Sequence, residues 1–352
     1  MNDQRPHVLI TGAGGLIGQA LIRRLSSDFR LSATYRGDPP ADTADVDWVQ
    51  LDLTSESSVE SALSELSERQ GRELASVVHL AAYYDFSGQP SPLYDEVTVG
   101  GSGRLVRHLQ RYEVEQFIFS STMLVHRPQP PGEAIDESTP LGAKWDYPAS
   151  KIETENLLRD QRGRIPVVLL RIAGVYNEDG NSIPLSRQLQ RIYERQLESY
   201  VFPGDPAHGQ AFVHLEDVVE AIRLTIDRRA ELPPETELLI GEPETLSYED
   251  LQQQLGELVH GREWPAIRVP AAMAKVGAWA QDVSPLSDPF IKPWMIDLAD
   301  DHYDLDIGRA REMLGWQPTH SLRETLPRMV RRLLDDPQRF YAINDLGEPP
   351  PY

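Results

Sequence analysis

The chain has no cysteine among its 352 residues. That removes disulfides, thiolate metal sites and cysteine nucleophiles together, and it fits a reducing compartment. Lysine is nearly as scarce, with four residues, Lys144, Lys151, Lys275 and Lys292, against thirty arginines. Basic charge as a whole is short: 34 Lys and Arg face 55 Asp and Glu, a formal charge of −21. A field of that sign repels DNA, RNA and anionic membrane surfaces, and no run of basic residues offsets it, so nucleic acid is excluded as a partner. No apolar run approaches the roughly 18 residues of a membrane span. The N-terminus also lacks the basic start and long apolar core of a secretory signal. The expectation is a cytoplasmic protein that acts on a small-molecule substrate away from the membrane.

What is present is ordinary globular material, 40% hydrophobic and 25% charged, which excludes disorder throughout. Short β-branched runs alternate with helical patterns in the first half. Strands are expected at His7–Thr11, Leu31–Tyr35, Asp47–Leu51, Ser76–Leu80, Gln116–Ser120 and Val167–Arg171, with helices at Leu16–Ser26, Glu56–Arg69, Tyr94–Tyr112 and Tyr147–Arg162. Six strands with right-handed crossovers predict an α/β fold, a doubly wound (Rossmann) parallel sheet. Helices expected near Leu185–Leu197, Leu215–Arg228, Tyr248–His260, Ala271–Ala280 and Leu322–Leu334 make a smaller, mostly helical C-terminal substrate region. The expected division is a nucleotide-binding domain over 1–175, to which 205–241 returns, a substrate region over 176–204 and 242–335, and an extended tail over 336–352.

The first strand runs into Gly12-Ala13-Gly14-Gly15-Leu16-Ile17-Gly18 and then a helix. Gly12 allows an unusual φ, Gly14 lets backbone N–H groups approach a pyrophosphate, and Gly18 lets the helix pack on the strand. At the end of the second strand Arg36 stands where a guanidinium meets a ribose 2′-phosphate. This favours NADP over NAD, although Asp38 competes for the role.

Tyr147 and Lys151 lie four residues apart on one helix face, and Ser120-Ser121-Thr122 ends a strand at the same edge. Hydride transfer at a carbinol or carbonyl carbon requires a proton to move on the oxygen. A free tyrosine, with a pKa of about 10, is a poor base at neutral pH. A neighbouring Lys⁺ favours phenolate, and the Thr122 hydroxyl holds the substrate oxygen.

With these motifs in order, the chain resembles an extended short-chain dehydrogenase/reductase of the NAD-dependent epimerase/dehydratase family. Other matching stretches are Asp52-Leu53, His79-Leu80-Ala81-Ala82, Phe119-Ser120-Ser121-Thr122, Leu170 to Tyr176, Phe212 to Val218 and Leu314 to Pro318. The resemblance implies that Asp52 and Leu53 lie at the adenine, that Leu80, Ala81 and Ala82 line the cofactor, and that Thr122, Tyr147 and Lys151 are catalytic, with Tyr147 and Lys151 also at the cofactor, whose ribose Lys151 orients. It also implies a homodimer paired through the Tyr94–Tyr112 and Tyr147–Arg162 helices.

Three departures from the family pattern stand out. Thr98 replaces an Asn that helps hold a water near the lysine. Gly174 replaces an Asn that grips a diphosphate in many sugar-nucleotide enzymes. Met295 to Asp301 lacks their Arg-x-Gly-Asp. A UDP- or TDP-sugar thus loses two anchors, for which Arg187, Arg191 and Arg195 on one helix are candidate replacements.

Tyr83 and Tyr84 are expected to shape the substrate site. His126 and His214 read as structural, Glu216 and Asp217 as helix-capping acids, and no metal site is expected. The Gly-x-Ser-x-Gly of serine hydrolases does not occur. The expected function is hydride transfer between nicotinamide and a carbinol or carbonyl carbon of a small substrate, a sugar among the candidates. The alternatives are an NADPH-dependent ketone or aldehyde reductase of the same fold and a non-catalytic NADP-sensing regulator.

Overall fold

The computed structural model describes residues 4–38, 46–85, 89–269, 296 and 298–350. The expected Ala271–Ala280 helix lies outside them, as do Met295 and Asp297 of the Met295–Asp301 stretch. Among the described residues, seven strands form one parallel sheet: β1 (His7–Thr11), β2 (Arg30–Tyr35), β3 (Val46–Gln50), β4 (Ser76–His79), β5 (Phe117–Thr122), β6 (Val167–Ile172) and β7 (Glu235–Ile240). Their order is β7-β6-β5-β4-β1-β2-β3. The chain winds outward from β1 through β2 and β3, then restarts on the other side at β4. The switch point therefore falls between β1 and β4, where a doubly wound sheet binds ligands beyond its carboxyl edge.

Alternation along the strands builds two cores. Val8 and Ile10 point into one cluster and Leu9 into the other, and Ile118 opposes Phe117 and Phe119 in the same way. Fully burying such a side chain contributes roughly 1.5–3 kcal/mol. The helices α1 (Leu16–Leu25), α2 (Glu56–Gln70), α3 (Gly100–Leu109), α4 (Asp146–Gln161), α5 (Ile183–Tyr193), α6 (Leu215–Asp227) and α7 (Tyr248–His260) follow the expected positions within a few residues. The turns before α3, Tyr94–Val99, are wound as a π-helix.

Two features differ from the sequence expectation. The seventh strand, β7, pairs with β6 in parallel. Its Glu235 and Glu237 break the apolar run, because both carboxylates face outward and take Arg159 of α4. The tail is not an extended arm: after α8 (Gly308–Leu314) and α9 (Leu322–Asp335), Pro337–Ile343 forms a further helix, α10. Asp336 caps it by accepting from the Arg339 N–H. Phe340 and Tyr341 are buried in a third cluster with Leu189, Leu333 and Trp264.

Candidate active site

The carboxyl ends of β1, β4 and β5 open into a cleft of ≈ 590 Å³. Gly12, Gly15, Leu16, Ile17 and Gly18 form one end of its wall, and Thr122, Tyr147 and Lys151 stand further along. Gly12 sits at φ +70°, and a Cβ there would lie 2.6 Å from the Ala81 nitrogen. Only glycine accommodates both demands. A Cβ on Gly18 would strike Ala13 Cα at 2.6 Å, so this glycine is what lets α1 approach the turn. Around the Cβ position of Gly14 there is open space. The backbone cradle and the N-terminus of α1 together fit a dinucleotide pyrophosphate.

The next wall is fixed by a hydrogen-bonded chain centred on His79. Ser102 Oγ donates to the Thr98 carbonyl, so it accepts from His79 Nε2 at 2.9 Å. That leaves Nδ1 to accept from Thr11 Oγ1 at 2.6 Å. Burial holds this imidazole neutral, lowering its pKa to about 3. Thr11 in turn accepts from the Ala81 N–H, which pins Leu80, Ala81 and Ala82 beside the glycine turn. Thr98, in the place of the family's Asn, spends its hydroxyl on the Tyr83 N–H at 2.9 Å.

The Tyr147 phenol meets the Thr122 hydroxyl, which joins the end of β5 to the first turn of α4. Tyr84 stands edge-on to Tyr147 with ring centroids 4.8 Å apart, and Trp145 lies 5.5 Å away. Lys151 is buried, donating Nζ to the Ser120 carbonyl at 2.7 Å, 4.6 Å above the Phe119 ring and 5.7 Å from the Tyr147 ring centroid. Burial lowers its ammonium to about 7 and pushes the Tyr147 phenol up to about 12. The expected lowering of the phenol by Lys151 is therefore not seen here, where removal of Tyr147 from water outweighs the hydrogen bond from Thr122.

Several expected site residues stand outside the cleft wall: Gly14, Arg36, Asp52, Leu53, Ala81 and Tyr83. Leu53 is packed under α3, its carbonyl taken by Arg104. Asp52 accepts the Thr54 N–H and hydroxyl, which hold its carboxyl below the usual range. The Arg36 charge also reaches Asp52. Arg187 and Arg191 do not point into the cleft: the first donates to the Asp345 carbonyl and the second to Gln188. His126 is structural, donating to the Thr139 carbonyl and facing Arg171.

His214 is not alone. The His320 ring stacks on it at 4.0 Å and 21°, and Glu216 completes a group with ligand atoms within 4.8 Å of one another. The nitrogens are already engaged. His214 accepts from the Glu216 N–H and meets Glu178, while His320 meets Asp217 and Glu216. With the rings nearly parallel the cluster works as a latch between α6 and the segment before α9.

Residues 8–241 match the family described as NAD dependent epimerase/dehydratase family. The chain belongs to that family. It is 28% identical over 239 residues to a short-chain dehydrogenase/reductase family 42E member 1 of Macaca fascicularis, a match covering 62% of this chain and 58% of that protein. It is 25% identical to the human 3 beta-hydroxysteroid dehydrogenase type 7, covering 92% of this chain and 94% of that one. Among solved structures it is similar to the Thermus thermophilus UDP-glucose 4-epimerase in complex with NAD, with TM-score 0.69, 21% identity and coverage of 93% and 99%. Among the described residues no helix is long and apolar enough to cross a membrane.

Proposed function

We propose that the protein is an NAD(P)-dependent oxidoreductase or epimerase acting at a carbinol or carbonyl carbon. The observation that carries this reading is the contact between the Thr122 hydroxyl and the Tyr147 phenol, with Lys151 buried one turn further along α4 and the glycine turn at the other end of the same cleft. Tyr147 exchanges the proton on the reacting oxygen, Thr122 donates a hydrogen bond to that oxygen, and Lys151 brings positive charge toward the phenol. The nicotinamide cofactor, when bound, takes or gives the hydride. If the hydride returns to the same substrate the net reaction is epimerisation or dehydration, and if it does not the net reaction is oxidation or reduction.

For the cofactor, NAD is what the Thermus relative holds, whereas Arg36 supports NADP here. Its exposed guanidinium stands at the end of β2 near Asp52, and the described residues give its side chain no hydrogen-bonded partner. We place the protein in the reducing cytoplasm, as a homodimer paired through α3 and α4. A light-scattering mass of one chain would overturn the pairing.

Replacing Tyr147 with Phe tests the central claim. General acid/base catalysis is worth about 10²–10⁴-fold, so turnover should fall by that factor while NAD(P)H fluorescence titrates as in the parent. Unchanged turnover would sink the reading.

A further inference from the structure

All thirty arginines of the chain are among the described residues, and none lines the cleft. Residues 270–297 hold two lysines and no arginine. A diphosphate is recognised best by the planar, two-pronged guanidinium, and this cleft offers none. Among the described residues, its charged wall residues are Lys144, Lys151 and Asp301. Lys144 is joined to the Asp301 carboxylate, and Lys151 is spent on the Ser120 carbonyl. The Asp301 side chain is 8% exposed, so a phosphate placed there would meet a carboxylate and an already neutralised cation. The N-terminus of α5 also reaches the wall, but Pro184 in its first turn has no N–H to give.

A Cβ on Gly174 would meet the Phe212 ring at 2.8 Å, so an aromatic face stands where a polar side chain would project. The cleft lining also includes Trp145, Ile183, Leu298 and Tyr303. Ile183 is 38% exposed, a large apolar side chain left open to the cleft, where covering it with apolar substrate surface is favourable.

We propose that the substrate is a neutral secondary alcohol or ketone with an apolar ring body, not a nucleoside-diphosphate sugar. The proposal rests on the hydride-transfer reading above and names the substrate class of that site. Its reacting oxygen meets Thr122 and Tyr147, and its body lies against Trp145, Phe212 and Leu298. Oxidation moves the carbinol hydride to NAD(P)⁺; Tyr147 first releases its phenolic proton to solvent and, as phenolate, then takes the substrate's hydroxyl proton, so atoms and electrons balance.

The test titrates a 3β-hydroxysteroid and, separately, UDP-glucose into the NAD(P)⁺-loaded protein by calorimetry, and follows reduced cofactor at 340 nm for the parent and Tyr147→Phe. The expected result is steroid binding at least tenfold tighter than UDP-glucose, with oxidation that Tyr147→Phe abolishes. Asp301→Asn, which frees Lys144, should tighten UDP-glucose binding several-fold. UDP-glucose binding as tight as or tighter than the steroid in the parent, or absence of steroid binding, overturns the substrate class and leaves the catalytic reading standing. Oxidation that survives in Tyr147→Phe overturns the catalytic reading while leaving the binding comparison intact.

Discussion

Arg171 closes a two-pronged ion pair on Glu155, Nε to Oε1 at 3.1 Å and Nη2 to Oε2 at 2.8 Å, with both side chains buried. Glu155 lies one turn beyond Lys151 on α4 and also accepts from Ser121 Oγ at 2.6 Å. The pair therefore ties the helix bearing Tyr147 to β5 and β6. Removing one partner strands a buried charge, which costs about 3–5 kcal/mol. Glu155→Ala should lower the urea midpoint by that equivalent, and replacing both Glu155 and Arg171 by Leu and Met should recover most of it. A single substitution costing under about 1 kcal/mol would show that water reaches the pair.

Arg36 bears on cofactor choice. A charge-assisted contact to a 2′-phosphate is worth about 1.5–3 kcal/mol, so Arg36→Ala should weaken NADPH by roughly tenfold or more and leave NADH nearly unchanged. The ratio of the two dissociation constants, from fluorescence titration, is the readout. A parent protein that already prefers NADH would refute the role given to Arg36.

The parts of the molecule legible in sequence are those where a backbone demand coincides with a residue type. Gly12 and Gly18 are read correctly because no side chain fits at either place. The strands β1 and β4–β6 carry apolar residues on both faces, and the sheet buries both. β7 escapes the reading because its two outward glutamates are explained only by Arg159 from another element. The charge balance of the cleft is equally illegible, since the partners of Lys144 and Lys151 are distant in sequence or backbone atoms. The tail is a case of overlooked signal: Asp336-Pro337 is a helix start, with a capping acid followed by proline at the first helical position.

Lys151 makes stability depend on pH in a stated direction. Its folded-state pKa is lowered to about 7 from an ordinary 10.5, so between these values the unfolded chain binds more protons and stability rises with pH. Below about pH 7 the buried ammonium costs its full penalty. Lys151→Met should therefore melt above the parent at pH 6.5, with the gap closing as the pH nears 10. A gap that is constant across this range would mean that the ammonium is not desolvated in the fold.

The terminal helix α10 is part of the core. The Phe340 ring packs so closely on Gly180 that a Cβ there would lie 2.6 Å from it, and the Tyr341 hydroxyl donates to Glu194 at 2.7 Å. These contacts join the chain end to α5, whose first turn lines the cleft. Truncating a buried aromatic to Ala costs about 3–5 kcal/mol, so Phe340→Ala should lower the melting temperature by several degrees. Because Ile183 and Pro184 belong to the same helix, the substitution should also raise the substrate KM more than it lowers kcat. A variant with parental melting and parental KM would mean that α10 carries neither load.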